Sequence, residues 1–409
     1  MDPGTLGTVP DVVELHYTYL LAGLVALGIA LFSYQVRRLP FSGSLLALAA
    51  GVVAGPYVLD VVRVPDDTRD LLLLESARLM LAVSLIGVAL RFPVRSLRPV
   101  LRPVLLLVAV VMPLAALVTG GLALVLLGLP ASLALLLGAC LCPTDPVLAS
   151  DVVSGVPAEQ DLPQELRAVL TEESGANDGL ALPLVLLTLV PVLDEAVGGQ
   201  VLTAAYQVFV AVVAAVLLGA GTAAALREVE RRRDVERPSE LVLTLLLAVL
   251  VLGVSEVLHV NGVLGVFVAG LAYNVVIGED EREQQEMLDE VANRYLVIPF
   301  FLLVGVVLPW AAWADLGVGA LLFPFAVLLL RRPPIVVVLS RLLGLRLRDA
   351  VFAGWFGPIG VSAVFYLALS ADEGATDPRL FAAGTLVVAA STLAHGVTAL
   401  PGRRLYARH

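Results

Sequence analysis

Cys142-Pro143-Thr144-Asp145-Pro146 lies in the middle of a largely apolar run that extends from Ala131 to Val153. Pro143 and Pro146, three apart, remove two helix N–H donors and leave carbonyls without intrahelical partners. Hydrocarbon tolerates such a break only where it lines a polar cavity or is packed by protein. Asp145 adds an ionisable group, which at bilayer depth costs about 2.5–3.5 kcal/mol and is a functional candidate by default. Two readings follow: a broken helix offering oxygen ligands, or a proline kink with a buried, hydrogen-bonded Asp.

The remainder of the chain shows which solvent surrounds that break. Of 409 residues, 59% are apolar and 15% charged, and the mean hydropathy is +0.94. A soluble chain has nearer ~25% charged residues, and this apolarity would leave large greasy patches in water. Divided into spans of ~20 residues, the sequence reads as about thirteen. Their limits are 16–36, 42–62, 71–90, 100–127, 131–153, 165–192, 200–226, 240–258, 260–277, 294–309, 317–340, 350–370 and 379–401. Only His259, Asn261 and Gly262 separate two of these runs, so residues 240–277 form one span or two. Asp2, Asp11 and Glu14 precede the first run, which is read as a retained span because a signal peptide needs a positive start.

Arginine placement orients the spans. Loops after odd-numbered spans hold Arg37, Arg38, Arg91, Arg95, Arg98, Arg102, Arg167, Arg227, Arg231, Arg232, Arg233, Arg237, Arg282, Arg294, Arg341, Arg346 and Arg348, and residues 402–409 add three more. The opposite loops hold Arg63, Arg69 and Arg379 beside Asp194, Glu195, Asp315, Asp372 and Glu373. By the positive-inside rule the N-terminus is outside and the C-terminus cytoplasmic. The net charge of −10 comes mainly from acidic loops, and no long basic tract points to nucleic acid. Cys140 and Cys142 read as packed small hydrophobes rather than a zinc site. No cofactor motif, intramembrane metal motif or Ser/His dyad is evident, so the chain is not read as an enzyme.

Three further clusters lie at span depth. In Thr171-Glu172-Glu173-Ser174-Gly175-Ala176-Asn177-Asp178-Gly179, Glu173, Asn177 and the Ser174/Asp178 pair recur at three- and four-residue steps and crowd one sector of a helix. A carboxylate, a hydroxyl and an amide converging there suit a hard cation, which prefers oxygen ligands. Asp178 can hold either a proton or the ion, and that competition alone couples two fluxes. The structural alternative is a polar network between helices. Arg331-Arg332-Pro333-Pro334 enters span eleven. A buried arginine needs an acidic partner, so Arg332 pairs with Glu173 or Glu172, unless both arginines snorkel to an interface. Gly354-Trp355-Phe356-Gly357-Pro358-Ile359-Gly360 is a second helix break, carrying no charge, in span twelve. Glu75 in span three either reaches the ion site or is an interfacial acid. Glu256 and His259 read as exposed or structural, and His395 as a packing histidine or a pH-sensitive group.

Spans five and twelve are seven apart and so cross in opposite directions. Interrupted helices at corresponding positions of two inverted halves are the best sequence pointer to a transporter site. The fold expected is therefore an all-α integral membrane protein with inverted-topology repeats, spans one to six and eight to thirteen, and two discontinuous crossing helices.

At Thr144-Asp145-Pro146-Val147 and Glu173-Ser174-Gly175-Ala176-Asn177-Asp178-Gly179 the sequence resembles sodium/proton exchangers of the monovalent cation:proton antiporter superfamily, in its NhaP-type branch. His259-Val260-Asn261-Gly262 through Leu271, Arg332-Pro333 with its valine run, and Trp355-Phe356-Gly357-Pro358 are similar to further family stretches, so the likeness covers nearly the whole chain. The resemblance implies a homodimer, with residues 11–98 and 200–310 as scaffold and dimerisation domain and 99–193 and 311–401 as core ion-transport domain. It implies Asp178 as the shared ion and proton site, with Asp145, Ser174 and Thr144 as further Na⁺ ligands, Asn177 beside them, and Glu75 where members carry a third-helix glutamate. It also implies a structural ion pair of Glu173 with Arg332. The Asn-Asp pair marks the branch that exchanges one proton for one sodium without net charge. Ile359 stands where the family has arginine, which bears on pH regulation and domain coupling. Residues 402–409 are expected as a short cytoplasmic tail without a regulatory extension.

The leading expectation is electroneutral Na⁺(Li⁺)/H⁺ antiport by alternating access in the cell inner (plasma) membrane, with Na⁺, H⁺ and membrane lipid as partners. K⁺/H⁺ exchange is the alternative, since ligand spacing rather than ligand type separates the two ions. An organic-anion symporter of similar fold would favour arginines or helix N-termini at mid-membrane, whereas carboxylates are central here.

Overall fold

The computed structural model describes residues 41–91, 98–193, 197–232, 240–276 and 297–408. The first expected span and the acidic loop at 278–293 lie outside the described residues. Among those described, all regular structure is helical. In chain order the helices are α1 (Gly43–Ala54), α2 (Asp66–Arg91), α3 (Leu101–Leu127), α4 (Ala131–Cys140), α5 (Pro146–Val153), α6 (Val156–Asp161), α7 (Gln164–Leu180), α8 (Leu182–Leu193) and α9 (Val197–Arg232). There follow α10 (Glu240–Leu258), α11 (Gly262–Val276), α12 (Val297–Val306), α13 (Trp310–Asp315), α14 (Gly319–Leu330), α15 (Pro333–Val338), α16 (Ser340–Leu343), α17 (Leu347–Trp355), α18 (Val361–Asp372) and α19 (Pro378–Ala407).

Local chemistry sets these boundaries. Ser42 caps α1 by accepting from Leu45 N at 3.2 Å. In α3, Pro113 offers no N–H to Ala109, and the backbone takes a π turn over Leu107–Val111. Gly128, at φ 63°, ends that helix in the left-handed conformation. Residues 240–276 form two helices, not one. His259 turns to φ 52° and Asn261 Oδ1 accepts from Leu264 N at 3.0 Å, capping α11.

Six helical stretches among the described residues are long and apolar enough to cross a membrane: Thr68–Arg91, Leu101–Leu127, Gln164–Leu193, Leu202–Val229, Gly319–Val338 and Pro378–Ala407. Their outer faces carry Leu202, Phe209, Leu217, Leu321 and Phe325, all exposed. In water such a surface would aggregate; in lipid it is the ordinary exterior. The chain is a multi-pass membrane protein.

Packing follows small residues. Helices α1 and α12 touch at Gly51 and Gly305, where a Cβ on Gly51 would come within 3.0 Å of Gly305 Cα. Helix α7 presses Gly175 against Val88 of α2 and Phe267 of α11, and Gly179 against Leu264. Residues 402–407 continue α19. Arg403 Nε binds Asp161 Oδ2 at 2.9 Å and Tyr406 OH donates to Asp349 at 2.6 Å.

Candidate functional site

One interruption spans Leu141–Asp145, between α4 and α5; the other spans Phe356–Gly360, between α17 and α18. The two meet, with Asp145 N donating to Pro358 O at 2.9 Å. There is no room between them: a Cβ on Gly357 would lie 2.9 Å from Thr144 Cγ2. Pro146 opens α5, a position where its missing N–H is not needed, while Pro143 stays inside the break.

Helix ends expose N–H groups on one side and carbonyls on the other, and two charged residues divide them here. Asp145, fully buried, accepts through Oδ1 from Val147 N at 2.7 Å and Leu148 N at 3.3 Å. Its Oδ2 accepts from Val361 N, the first residue of α18. Arg331 takes the carbonyl side. Its Nη1 donates to Leu141 O, and to Cys142 O and Pro143 O at 3.2 Å each, while Nη2 donates to Gly357 O at 2.7 Å. An anion on positive helix ends and a cation on negative ones are both favourable. Arg331 is 2% exposed and reaches no interface, so it does not snorkel. Sequence reasoning assigned it no such role; its only signal was adjacency to Arg332 and Pro333.

Helix α7 supplies the rest. Thr144 N donates to Asn177 Oδ1 at 3.1 Å, Asn177 Nδ2 donates to Thr144 Oγ1 at 2.8 Å, and Thr144 Oγ1 lies 3.0 Å from Ser174 Oγ. Asn177 thus clamps Thr144 with both ends of its amide. Glu173 and Arg332 form a two-pronged buried ion pair, Nη2 to Oε2 at 2.7 Å with Nη1 to Oε1 beside it, and Arg332 Nε donates to Ala353 O at 3.0 Å. Glu172, the other partner considered for Arg332, lies by Arg91 instead.

Asp178 differs from every other buried charge in this cluster. It is 0% exposed, and neither carboxylate oxygen has a hydrogen-bond partner among the described residues. Its backbone oxygen accepts from Tyr366 OH. Buried polar groups are nearly always satisfied, so one left open requires an explanation.

The structure brings together Asp145, Thr144, Glu173, Ser174, Asn177, Arg332 and the break residues Pro143, Pro146, Gly357 and Pro358. It does not bring Glu75 to them. Glu75 is exposed and binds Arg78 at 2.9 Å, and Arg78 also binds Glu256 at 3.1 Å. The reason is rotational: Leu72 and Leu79, its neighbours along the helix face, are exposed as well. His395 is a packing histidine, with Nδ1 2.9 Å from Ser391 O and Nε2 2.9 Å from Trp355 O.

An all-helical, multi-pass membrane protein with two interrupted helices fastened beside an open buried carboxylate is thereby defined. The sodium/hydrogen exchanger transmembrane family model matches residues 23–401, and the chain belongs to that family. It is 32% identical over 373 residues to Na⁺/H⁺ antiporter 2 of Zygosaccharomyces rouxii, covering 87% of this chain and 46% of that one. It is 28% identical over 379 residues to the Na⁺/H⁺ antiporter of Saccharomyces cerevisiae, covering 89% and 38%. The chain therefore spans less than half the length of either yeast relative. In fold it is similar to the sodium proton antiporter MjNhaP1 from Methanocaldococcus jannaschii, with a TM-score of 0.76, 18% identity, and 96% and 98% of the two chains covered.

Proposed function

We propose that this chain is a secondary active transporter that exchanges Na⁺ or Li⁺ for H⁺ without net charge, by competition of cation and proton at Asp178. The observation that carries the proposal is the distribution of buried charge. Asp145 is spent on three backbone N–H groups, Arg331 on four carbonyls, and Glu173 on Arg332. Among the described residues Glu172 leaves one buried oxygen without a partner, and Asp178 leaves both. A single open carboxylate takes one Na⁺ or one H⁺ and carries the same charge with either. A site of equal charge in both directions moves no net charge per cycle, and only net charge works against the potential, by about 2.3 kcal/mol per 100 mV.

Ser174 and Thr144 complete the proposed ligand set. Asp145, with roughly four lone-pair sites of which three are taken, adds negative charge and one remaining lone pair. Asn177 holds Thr144 in place, and the Glu173–Arg332 pair fixes the rotation of α7 against α15.

In the proposed cycle residues 99–193 and 311–401 move as the core against a scaffold of 11–98 and 200–310, within a homodimer in the cell membrane. The N-terminus is assigned to the outside and the C-terminus to the cytoplasm. The seam for that movement is the face of α7 toward α2 and α11. Gly175 and Gly179 present no side chain there, and Val88, Phe267 and Leu264 fill the notches, so the seam is close-packed and largely apolar. Asn261 Nδ2 to Gly179 O at 2.7 Å and Arg91 Nη1 to Thr171 Oγ1 at 3.4 Å cross that face and would have to exchange.

The test is exchange in proteoliposomes carrying a pH-sensitive dye. Na⁺ added to wild type should dissipate an imposed proton gradient at a rate independent of a potassium-diffusion potential, and Asp178→Asn should not respond. A steep dependence on that potential would refute neutrality, and unchanged exchange in the variant would refute the site.

A further inference from the structure

A second open oxygen faces Asp178 from the other interrupted helix. Ser362 is 0% exposed, and its hydroxyl has no hydrogen-bond partner among the described residues. Its placement is fixed on both sides. The preceding residue, Val361, gives its N–H to Asp145, and one turn later Tyr366 reaches the backbone oxygen of Asp178. Residues four apart share a helix face, so the face of α18 that carries Ser362 is the one turned toward α7. The hydroxyl stands beside the Asp178 carboxyl, outside hydrogen-bond geometry.

A buried hydroxyl that forgoes a bond is unfavourable for folding, and deleting it would remove that cost. Two neighbouring groups that both forgo their bonds share one explanation. Oxygens that ligate the same cation stand farther apart than oxygens that share a proton. A cation stripped of water also needs its hydration shell replaced by several oxygens at once.

We propose that Ser362 is a cation ligand, so that the transported ion is held between α7 of one half of the chain and α18 of the other. This rests on Asp178 being the exchange site and adds a ligand that neither motif on α5 nor α7 supplies. It also makes Ser362 a determinant of ion preference, because the reach of α18 sets the cavity on its side. A proton needs only the carboxylate; a cation needs both groups. Removing the hydroxyl should therefore weaken cation binding and spare proton binding.

The experiment is Na⁺- and Li⁺-driven exchange by wild type, Ser362→Ala and Asp178→Asn in proteoliposomes of equal protein content, with thermal unfolding recorded for each. Ser362→Ala is expected to raise the apparent KM for Na⁺ about tenfold, equivalent to about 1.4 kcal/mol, and to change the Li⁺/Na⁺ KM ratio. The proton affinity extrapolated to zero Na⁺ should stay near wild type, and its unfolding temperature should not fall. An unchanged KM and ion ratio overturns the proposal while leaving Asp178 in place. So does a KM change matched by lost folded protein with an unaltered ion ratio. Wild-type vesicles that fail to exchange at all would overturn the assignment of Asp178 and this ligand with it.

Discussion

Asp145 accepts the backbone N–H of Val361 with one carboxylate oxygen while the other caps its own half-helix at Val147 and Leu148. One side chain thus ties the starts of α5 and α18, and its loss is expected to act on stability as well as transport. Removing an N-cap costs about 0.5–2 kcal/mol. Asp145→Ala removes two, so about 1–4 kcal/mol is expected, seen as a lower unfolding temperature in detergent. Asp145→Asn, which keeps one oxygen acceptor, should fall between.

Asp178 should behave in the opposite way. A buried carboxylate without partners is unfavourable for folding, so Asp178→Asn should unfold at the same temperature as wild type or higher, while exchange is abolished. A stability loss as large as that of Asp145→Ala would show that Asp178 is structural.

The Glu173–Arg332 pair predicts strong coupling. Breaking a buried ion pair from one side costs about 3–5 kcal/mol because a lone charge remains. Glu173→Gln and Arg332→Gln should each destabilise severely, and the double variant should be less destabilised than their sum. Arg332→Lys should not restore the wild type, since lysine cannot span both carboxylate oxygens. Additive effects in a double-mutant cycle would contradict the pairing.

Glu75→Gln should leave the KM for Na⁺ unchanged, because its carboxylate binds Arg78. A large rise in KM would place Glu75 at the ion, contrary to its contact with Arg78.

What the sequence made legible follows from which residues hydrocarbon penalises. Proline and glycine in spans five and twelve marked the breaks because lipid tolerates free backbone groups only inside protein. Glu173, Ser174, Asn177 and Asp178 declared a common sector because polar residues at helical spacing stand out against apolar ones. Glu75 was misplaced because lipid-facing and core-facing sides of α2 are equally apolar, so periodicity does not tell them apart. Arg331 was missed because its partners are carbonyls, which every residue carries. The turn at Arg332, φ −125° and ψ −48°, divides α14 from α15 and sends the two neighbouring guanidinium groups to different ends of the cluster. Ser362 left no trace because a single serine in an apolar helix has no pattern. The turn between α10 and α11 rested on an Asn cap that one polar residue barely announces.

Proton release by purified protein in weakly buffered detergent solution tests the central claim most directly. At a pH low enough that protons inhibit exchange, adding Na⁺ should release about one proton per ion bound, as displacement from a single protonated carboxylate requires, and Asp178→Asn should release none. Sodium binding by wild type without any proton release, or undiminished release from the variant, would contradict the account.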